Sequence, residues 1–303
     1  MTLTRFTNKL KHPLFWKNFG WGLFRFALFT GIIFVLIYPI LSVFSGSFKS
    51  YSDMINPTTI WIPKEPTLQN YIDAIQKVKY FDGLRNTAIL SIACAVGQTL
   101  SCALVGYGFA RYNFKEKGLL FGVMLFILIV TPQTISLPKV MIFKSMGMID
   151  TLWPMILPSF FGLGLKSGIF IYIYRQIFSG MPREFEEAAY LDGCGDFRIF
   201  ARIMLPNAIP AIVTVCLFSL VWNWNEVFEP TTYLQTPDMM TLSMRLINVN
   251  GFITQEAGVV KDLVYVIPIR YACIILVIAP MLVFYAIVQR KFVESVERSG
   301  IVG

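Results

Sequence analysis

At 303 residues, 55% hydrophobic and only 15% charged, the chain carries too few charged side chains for a soluble domain, where about a quarter is usual. Its mean hydropathy of +0.61 places it among polytopic membrane proteins. The net charge of +8 suits basic loops gathered on one side of a bilayer better than it suits nucleic-acid binding.

Residues 1–20 form a basic, aromatic tail (Arg5, Lys9, Lys11, Lys17, Phe6, Phe15, Trp16, Phe19) with no acid to offset it. A plain tail and an amphipathic interfacial segment both fit. The first apolar run, Phe26–Phe44, is about nineteen residues long, whereas a signal-peptide core has roughly 7–15. It reads as an uncleaved first span, although Ser45-Gly46-Ser47 leaves cleavage open. A polar loop with Pro57, Pro63 and Pro66 follows over 45–85, and Tyr71 to Tyr80 has the pattern of a short helix.

The second run, Asn86–Ala110, is rich in Gly, Ala and Ser (Gly97, Ser101, Ala103, Gly106, Gly108). Small residues let helix backbones approach, so this span is expected inside the bundle. The third run, Gly118–Phe143, is interrupted by Thr131-Pro132-Gln133-Thr134 and Pro138, which predicts a kinked or broken helix. Such backbone is tolerated at membrane depth only beside protein or a water-filled cavity. The fourth run, Leu152–Ile177, contains Pro154, Pro158, Gly162, Gly164 and Lys166. The fifth, Ile209–Phe228, ends in Trp222-Asn223-Trp224-Asn225-Glu226, and a long polar loop covers 229–268. The sixth, Ile269–Val288, precedes a charged tail. Each run is long enough for about 30 Å of hydrocarbon. The expected spans are 21–44, 86–110, 118–143, 152–177, 209–228 and 269–288, in an all-α polytopic fold.

Alternating the sides places Arg5, Lys9, Lys11, Lys17, Arg111, Lys115, Lys117, Arg175, Arg183, Arg198, Arg202, Arg290, Lys291 and Arg298 together. The opposite side holds fewer basic residues over longer loops: Lys49, Lys64, Lys77, Lys79, Arg85, Lys139, Lys144, Arg245 and Lys261. The bias puts both termini, and residues 180–206, in the cytoplasm. Cys94, Cys102, Cys194, Cys216 and Cys273 form no CxxC, and His12 is the only histidine, so neither a zinc site nor a disulfide framework is expected. Gly162-Leu163-Gly164-Leu165-Lys166-Ser167 lacks the spacing of a phosphate loop.

The segment 180–206 is charge-rich between two apolar runs, with apolar residues at helical spacing. Pro182 suits a first helical position, and Glu184, Glu186 and Glu187 suit the positive end of the helix dipole. Phe185, Ala188 and Ala189 are expected to share a face, Gly193 to close the helix at positive φ, and Asp196 to cap a second helix ended by Pro206. Phe197, Phe200, Ala201 and Met204 are the expected apolar face of that second helix. On these grounds alone the segment is either a docking element or a plain linker.

Glu187-Ala188-Ala189, then Gly193, Ile203 and Leu205-Pro206, fall at the spacing of the EAA loop, and the segment resembles that loop of ABC-importer permeases. Met181-Pro182-Arg183-Glu184, Leu191-Asp192-Gly193 and Trp224-Asn225-Glu226 are similar to the carbohydrate-uptake branch, in particular to the second permease subunit of maltose-type importers. Cys194-Gly195 departs from the Ala-Ser or Ala-Asn more usual there, and the 229–268 loop is long. The resemblance implies a MetI-like type I ABC importer permease fold with six transmembrane helices and a transport subunit that is not an enzyme. It implies docking of cytoplasmic ATPases on Phe185, Glu187, Ala188, Ala189, Gly193, Phe200, Leu205 and Pro206. Phe185 and Phe200 serve either as anchors or as packing on the chain's own spans. ATP and magnesium would be bound by two partner ATPases and not by this chain. A second permease subunit and an extracytoplasmic solute-binding protein complete the implied assembly.

Candidates for the substrate path or binding-protein contact are Gln133, Thr134, Ser136, Trp222, Asn223, Trp224, Asn225 and Glu226, although interfacial Trp residues are often membrane anchors. Lys166 is expected to face a cavity or a carboxylate, or to snorkel. The expected cargo is a sugar or oligosaccharide, with a non-sugar solute as the alternative. A stand-alone secondary transporter fits less well, because the spans hold almost no carboxylates.

Overall fold

The computed structural model describes residues 13–257 and 263–300, with side chains over 21–253 and 264–289, and every regular element among them is helical. Expectations resting on Arg5, Lys9, Lys11, His12 and Lys261, or on the side chains of Lys17 and residues 290–303, lie outside these residues. The chain divides into two compact units, Met1–Ile72 with Asp262–Ile275, and Asp73–Lys261 with Leu276–Gly303.

In the first unit, α1 (Pro13–Ser47) runs through Pro39 without ending. Its Trp21–Ser47 stretch has 0% of its most apolar window buried, as suits a helix facing lipid on most sides. Its last carbonyl, and one just beyond the helix, are satisfied from further along the chain. Asn70 Nδ2 donates to Ser47 O at 2.8 Å and to Lys49 O at 2.9 Å. Ser50 caps α2 (Tyr51–Ile55) by accepting from Asp53 N at 3.2 Å. Lys49 Nζ donates to Thr59 O at 2.8 Å, so the proline-rich loop is tied down. The predicted short helix appears as α3 (Gln69–Lys77), slightly earlier than 71–80.

The second unit is built on α4 (Tyr80–Arg111), which starts before the predicted Asn86. After it come α5 (Lys117–Ile127), a 3₁₀ turn (Pro132–Ile135) and α6 (Ser136–Ser145). α5 and the stretch Pro132–Ser145 meet at 100°, so the proline cluster breaks the third run outright. The expected fourth span is not one helix. α7 (Trp153–Ser159) and α8 (Ser167–Gly180) flank an irregular stretch where Gly162 (φ 71) and Lys166 (φ 55) are left-handed. The turn out of α7 is made at Gly162, whose positive φ lets Leu163 N donate back to Pro158 O at 2.9 Å.

α9 (Glu184–Leu191), α10 (Asp196–Asn207) and α11 (Ile209–Asn225) follow, with an 80° bend between α10 and α11. The loop expected over 229–268 is partly helical, as α12 (Phe228–Tyr233), α13 (Leu242–Ile247) and α14 (Val249–Ala257). Arg245 in α13 is fully buried and uncharged partners hold it: Nη1 donates to Val78 O at 2.9 Å and Nε to Met240 O at 3.2 Å. The chain closes on α15 (Leu263–Gly300). Among the described residues, three helices are long and apolar enough to cross a membrane: Trp21–Ser47, Tyr80–Arg111 and Val264–Gln289. The two bent pairs pass the same criterion only when each is taken as a unit.

α4 packs against α7, α8 and α11, and its small residues are the reason it can. A β-carbon on Gly106 would lie 2.6 Å from Tyr174 Cβ and 3.1 Å from Ile171 O. Gly106→Ala therefore forces α4 and α8 apart and is expected to cost about 1–3 kcal/mol. A lowered thermal midpoint of the detergent-solubilised protein checks this, and an unchanged midpoint contradicts it.

A buried polar knot sits at the middle of α4. Gln98 Nε2 donates to Leu165 O at 2.7 Å and to Ser167 Oγ at 2.9 Å, while Gln98 Oε1 accepts from Ser219 Oγ and from Asn223 Nδ2 at 3.3 Å. Gln98, Ser167, Ser219 and Asn223 are all buried. One carboxamide thus satisfies groups on α8 and α11 and fixes both to α4.

Candidate functional site

α9 and α10 form a helical hairpin joined at Gly193. The helix starts at Glu184, not at Pro182, and Glu184, Glu186 and Glu187 occupy its first turn as predicted. Its end is a Schellman motif. Gly193 N donates to Tyr190 O at 3.0 Å, and Cys194 N donates to Ala189 O at 2.9 Å. Gly193 has φ +75, the left-handed value expected of it. Ala189 and Cys194, which bracket the motif, both join the apolar core. Tyr190 Oη donates to Asp196 Oδ1 at 2.7 Å and ties α9 to α10. That hydrogen bond holds the Tyr190 phenol protonated, above its usual range.

Asp196 is not a cap: Gly195, in extended backbone, is the N-cap and Asp196 is the first helical residue. The second helix includes a π turn over Phe200–Met204, in which Leu205 N reaches Phe200 O. Pro206 would clash with the carbonyl four residues back in an ideal helix, and the wider turn relieves this. The helix therefore continues to Asn207.

The predicted faces are partly redrawn. Phe185 and Ala188 are exposed, but Ala189 is buried against the core. On α10 the buried face is Ile199, Phe200 and Met204, while Phe197 points outward at 73% exposure and Ala201 is also exposed. Phe200 is packed on the chain's own spans, its ring 5.2 Å from that of Tyr107 and 6.3 Å from that of Phe178. It is not an outward anchor. Leu205 is half-buried against the same core, and Pro206 is exposed. Leu191, quoted in the sequence only as part of Leu191-Asp192-Gly193 and not as a docking residue, is 90% exposed. Phe185, Leu191 and Phe197 thus show large apolar side chains on an otherwise charged hairpin, a composition that marks interaction surfaces.

Glu187 and Arg183 line an open cleft of ≈ 200 Å³ with Tyr107, Arg111, Tyr112, Glu186 and Tyr190. Glu187 is exposed, whereas Glu186 is buried and engaged by α4. Glu186 Oε1 accepts from Tyr107 Oη at 2.7 Å, and Glu186 Oε2 lies 3.1 Å from Arg111 Nε. Sequence reasoning grouped Glu186 with its neighbours as a dipole partner. The missed signal was its spacing of three from Ala189, which puts both on the face that meets the core.

The substrate-path candidates are not gathered into one site. Gln133 and Thr134 are exposed in the 3₁₀ turn of the broken third run, and Ser136 Oγ donates to Gln133 O at 2.8 Å. Asn223 belongs to the Gln98 knot. Trp224 is buried and its Nε1 donates to Val277 O at 3.2 Å. Asn225 is exposed, with its amide on Val221 O at 2.8 Å, and Glu226 Oε1 accepts from Phe228 N at 2.8 Å at the start of α12. Trp222 is half-buried and stacked on Phe170 and Phe218, with ring centroids 5.3 Å and 5.4 Å away. Lys166 Nζ lies 4.6 Å from the centroid of that indole, a cation–π contact that the expected settings (a cavity, a carboxylate or snorkelling) did not include. Gln98, the hub of the polar knot, was missed. A lone Gln in a run of small apolar residues was the available signal.

Long apolar helices, two sharply bent helix pairs and a charged helical hairpin define a helical membrane protein. The chain belongs to the family of binding-protein-dependent transport system inner membrane components, which it matches over residues 103–298. It is 27% identical to the arabinooligosaccharides transport system permease protein of Halalkalibacterium halodurans, covering 91% of this chain and 94% of that protein. It is 23% identical to a probable starch degradation products transport system permease protein of Thermoanaerobacterium thermosulfurigenes, covering 88% and 93%. The crystal structure of a bacterial ABC transporter involved in the import of the acidic polysaccharide alginate superposes with a TM-score of 0.78. That match spans 91% of this chain and 98% of the other at 20% identity, and it establishes the shared fold. The protein is accordingly a membrane-embedded permease subunit of an ABC importer. It is a transport subunit and not an enzyme, and it works with an ATPase and a binding protein.

Proposed function

We propose that this chain carries a sugar or oligosaccharide inward, and that the α9–α10 hairpin receives the work of ATP hydrolysis from a partner ATPase. The observation that carries the reading is the hairpin itself. The spacing Glu187-Ala188-Ala189, Gly193, Ile203, Leu205-Pro206 folds into two helices about a Schellman glycine, with Phe185, Leu191 and Phe197 turned away from the core. Ala188 lets a partner surface approach closely, and Glu187 offers a carboxylate to a basic partner residue. ATP and magnesium belong to the ATPases.

The assembly contains a second permease subunit, two ATPases and an external solute-binding protein, in a cytoplasmic membrane. Both termini and the hairpin are cytoplasmic, in line with the basic-residue bias. Six crossings follow if α7 with α8, and α5 with Pro132–Ser145, each count as one crossing and α11 crosses alone beyond its bend with α10. The path is lined by the break at Gln133, Thr134 and Ser136 and by Trp222, Asn225 and Glu226 at the end of α11. The sugar class rests on the named cargoes of the relatives. Proteoliposomes holding the co-expressed complex are expected to accumulate labelled arabino- or malto-oligosaccharides only with ATP and the binding protein. Accumulation driven by an ion gradient without ATP would overturn the reading.

A further inference from the structure

We infer that Glu186 is a positioning residue that couples motion of the hairpin to α4, through Arg111 and Tyr107. The inference rests on the proposed role of the hairpin and deepens it by naming how displacement leaves it.

The hairpin has three kinds of attachment to the bundle. One is the peptide chain at either end, through Met181 and Ala208. Another is the apolar packing of Ala189, Ile199, Phe200 and Met204 on the core. The third is a set of side-chain bonds to the end of α4, and these are specific. Both Glu186 oxygens are used by that helix: Tyr107 Oη donates to one at 2.7 Å, and Arg111 Nε lies 3.1 Å from the other. Arg111 Nη2 also donates to Met181 O at 2.7 Å, so one guanidinium holds both the approach to α9 and its first turn. The pair lies at the floor of the open cleft but is largely covered, with 8% of the Arg111 side chain and 11% of the Glu186 side chain exposed. A charge pair in that setting is far stiffer than a surface bridge, because breaking it leaves a buried charge unpaired. Tyr107 is locked in turn by edge contact with Phe178 at 5.5 Å and tilted contact with Phe200 at 5.2 Å.

What lies further along α4 gives this latch its consequence. Gln98 is nine residues from Tyr107, about 13 Å along the same helix. It is bonded to Leu165 and Ser167 at the start of α8 and to Ser219 and Asn223 on α11. The helix between them is continuous and closely packed, with Gly106 against the α8 backbone. A push on α9 therefore reaches Gln98 through one rigid rod, and the Gln98 knot distributes it to the helices flanking the broken crossing. Glu187, one residue away, faces outward and meets the partner. Glu186 faces inward and hands the motion on.

The test uses the full transporter, affinity-tagged on this chain and co-expressed with its partners, with three readouts. These are ATPase retained on the tagged chain, ATP hydrolysis, and uptake of labelled arabino- and malto-oligosaccharides. Glu186→Ala and the milder Tyr107→Phe are expected to retain the ATPases and hydrolyse ATP while uptake falls, roughly tenfold or more for Glu186→Ala. The reciprocal swap Glu186→Arg with Arg111→Glu is expected to restore at least part of that uptake, which a residue serving only to fill space would not do. Unchanged uptake in Glu186→Ala overturns the inference, and so does loss of bound ATPase in both variants, which would make the pair a prop for docking. Failure of the docking reading itself shows separately, as ATPase retained by a variant altered on the outward surface of the hairpin.

Discussion

Gly193→Asp is expected to strip the ATPases from the complex and abolish uptake, while the chain still reaches the membrane in normal amount. Gly193 sits at φ +75, where a β-carbon ordinarily costs about 1–2 kcal/mol. Aspartate is among the residues that tolerate this region best, so backbone strain alone is a modest effect. Nothing lies within 4 Å of the position a β-carbon would take. The new carboxylate therefore enters open space beside Asp192, at the negative end of the α9 dipole, where the proposed partner would sit. An unpaired charge at the centre of a docking surface costs about 2 kcal/mol or more, a loss of roughly thirtyfold in affinity. Gly193→Asn separates the causes, since it keeps the shape without the charge and is expected to retain much of the binding. Pull-down of the ATPase with the tagged chain measures both. Full retention by Gly193→Asp would contradict the docking role.

Trp224→Ala is expected to destabilise the protein by about 3–5 kcal/mol, the cost of deleting a large buried aromatic ring. Trp224 is 7% exposed and packs with Leu242 and Val277, flanked by Tyr80, Leu84 and Ala88. Trp224→Phe keeps most of that volume and loses the Nε1 bond to Val277 O, so its expected cost is nearer 1 kcal/mol. Thermal unfolding and the monodisperse fraction in mild detergent report these effects. Normal stability of Trp224→Ala with changed sugar uptake would move Trp224 from the core to the substrate path.

The two cases mark how far the sequence could be read. Gly193 was legible because a turn at positive φ needs a particular residue, and local chemistry signals it directly. The break in the third run was legible for the same reason, from Pro132 and its polar neighbours. Trp224 was not: an indole at the end of an apolar run looks alike whether it anchors at an interface or packs on α13 and α15. That choice depends on partners distant in sequence. Phe185 and Phe200 illustrate this, since both are aromatic at helical positions in one hairpin, yet tertiary packing buries one and exposes the other. On α10 the buried face takes in Ile199 and leaves Phe197 out, because the core meets the helix from a direction that only the tertiary packing sets. Apolar runs also understate helices. α1, α4 and α15 all extend past their runs, because hydropathy marks the hydrocarbon slab and the backbone ladder continues beyond it. The Gln98 knot and the Glu186 latch are long-range pairings, and one sequence gives no sign of which polar side chains will meet.

The central claim is that the outward face of the α9–α10 hairpin is the contact surface for an ATPase. The most direct measurement replaces Leu191, 90% exposed at the end of α9, with a photoreactive benzoyl-phenylalanine in the co-expressed complex. Irradiation is expected to give one major adduct, between this chain and the ATPase, and the same substitution at the buried Ile199 none with it. Adducts from Leu191 confined to lipid or to this chain itself would contradict the claim.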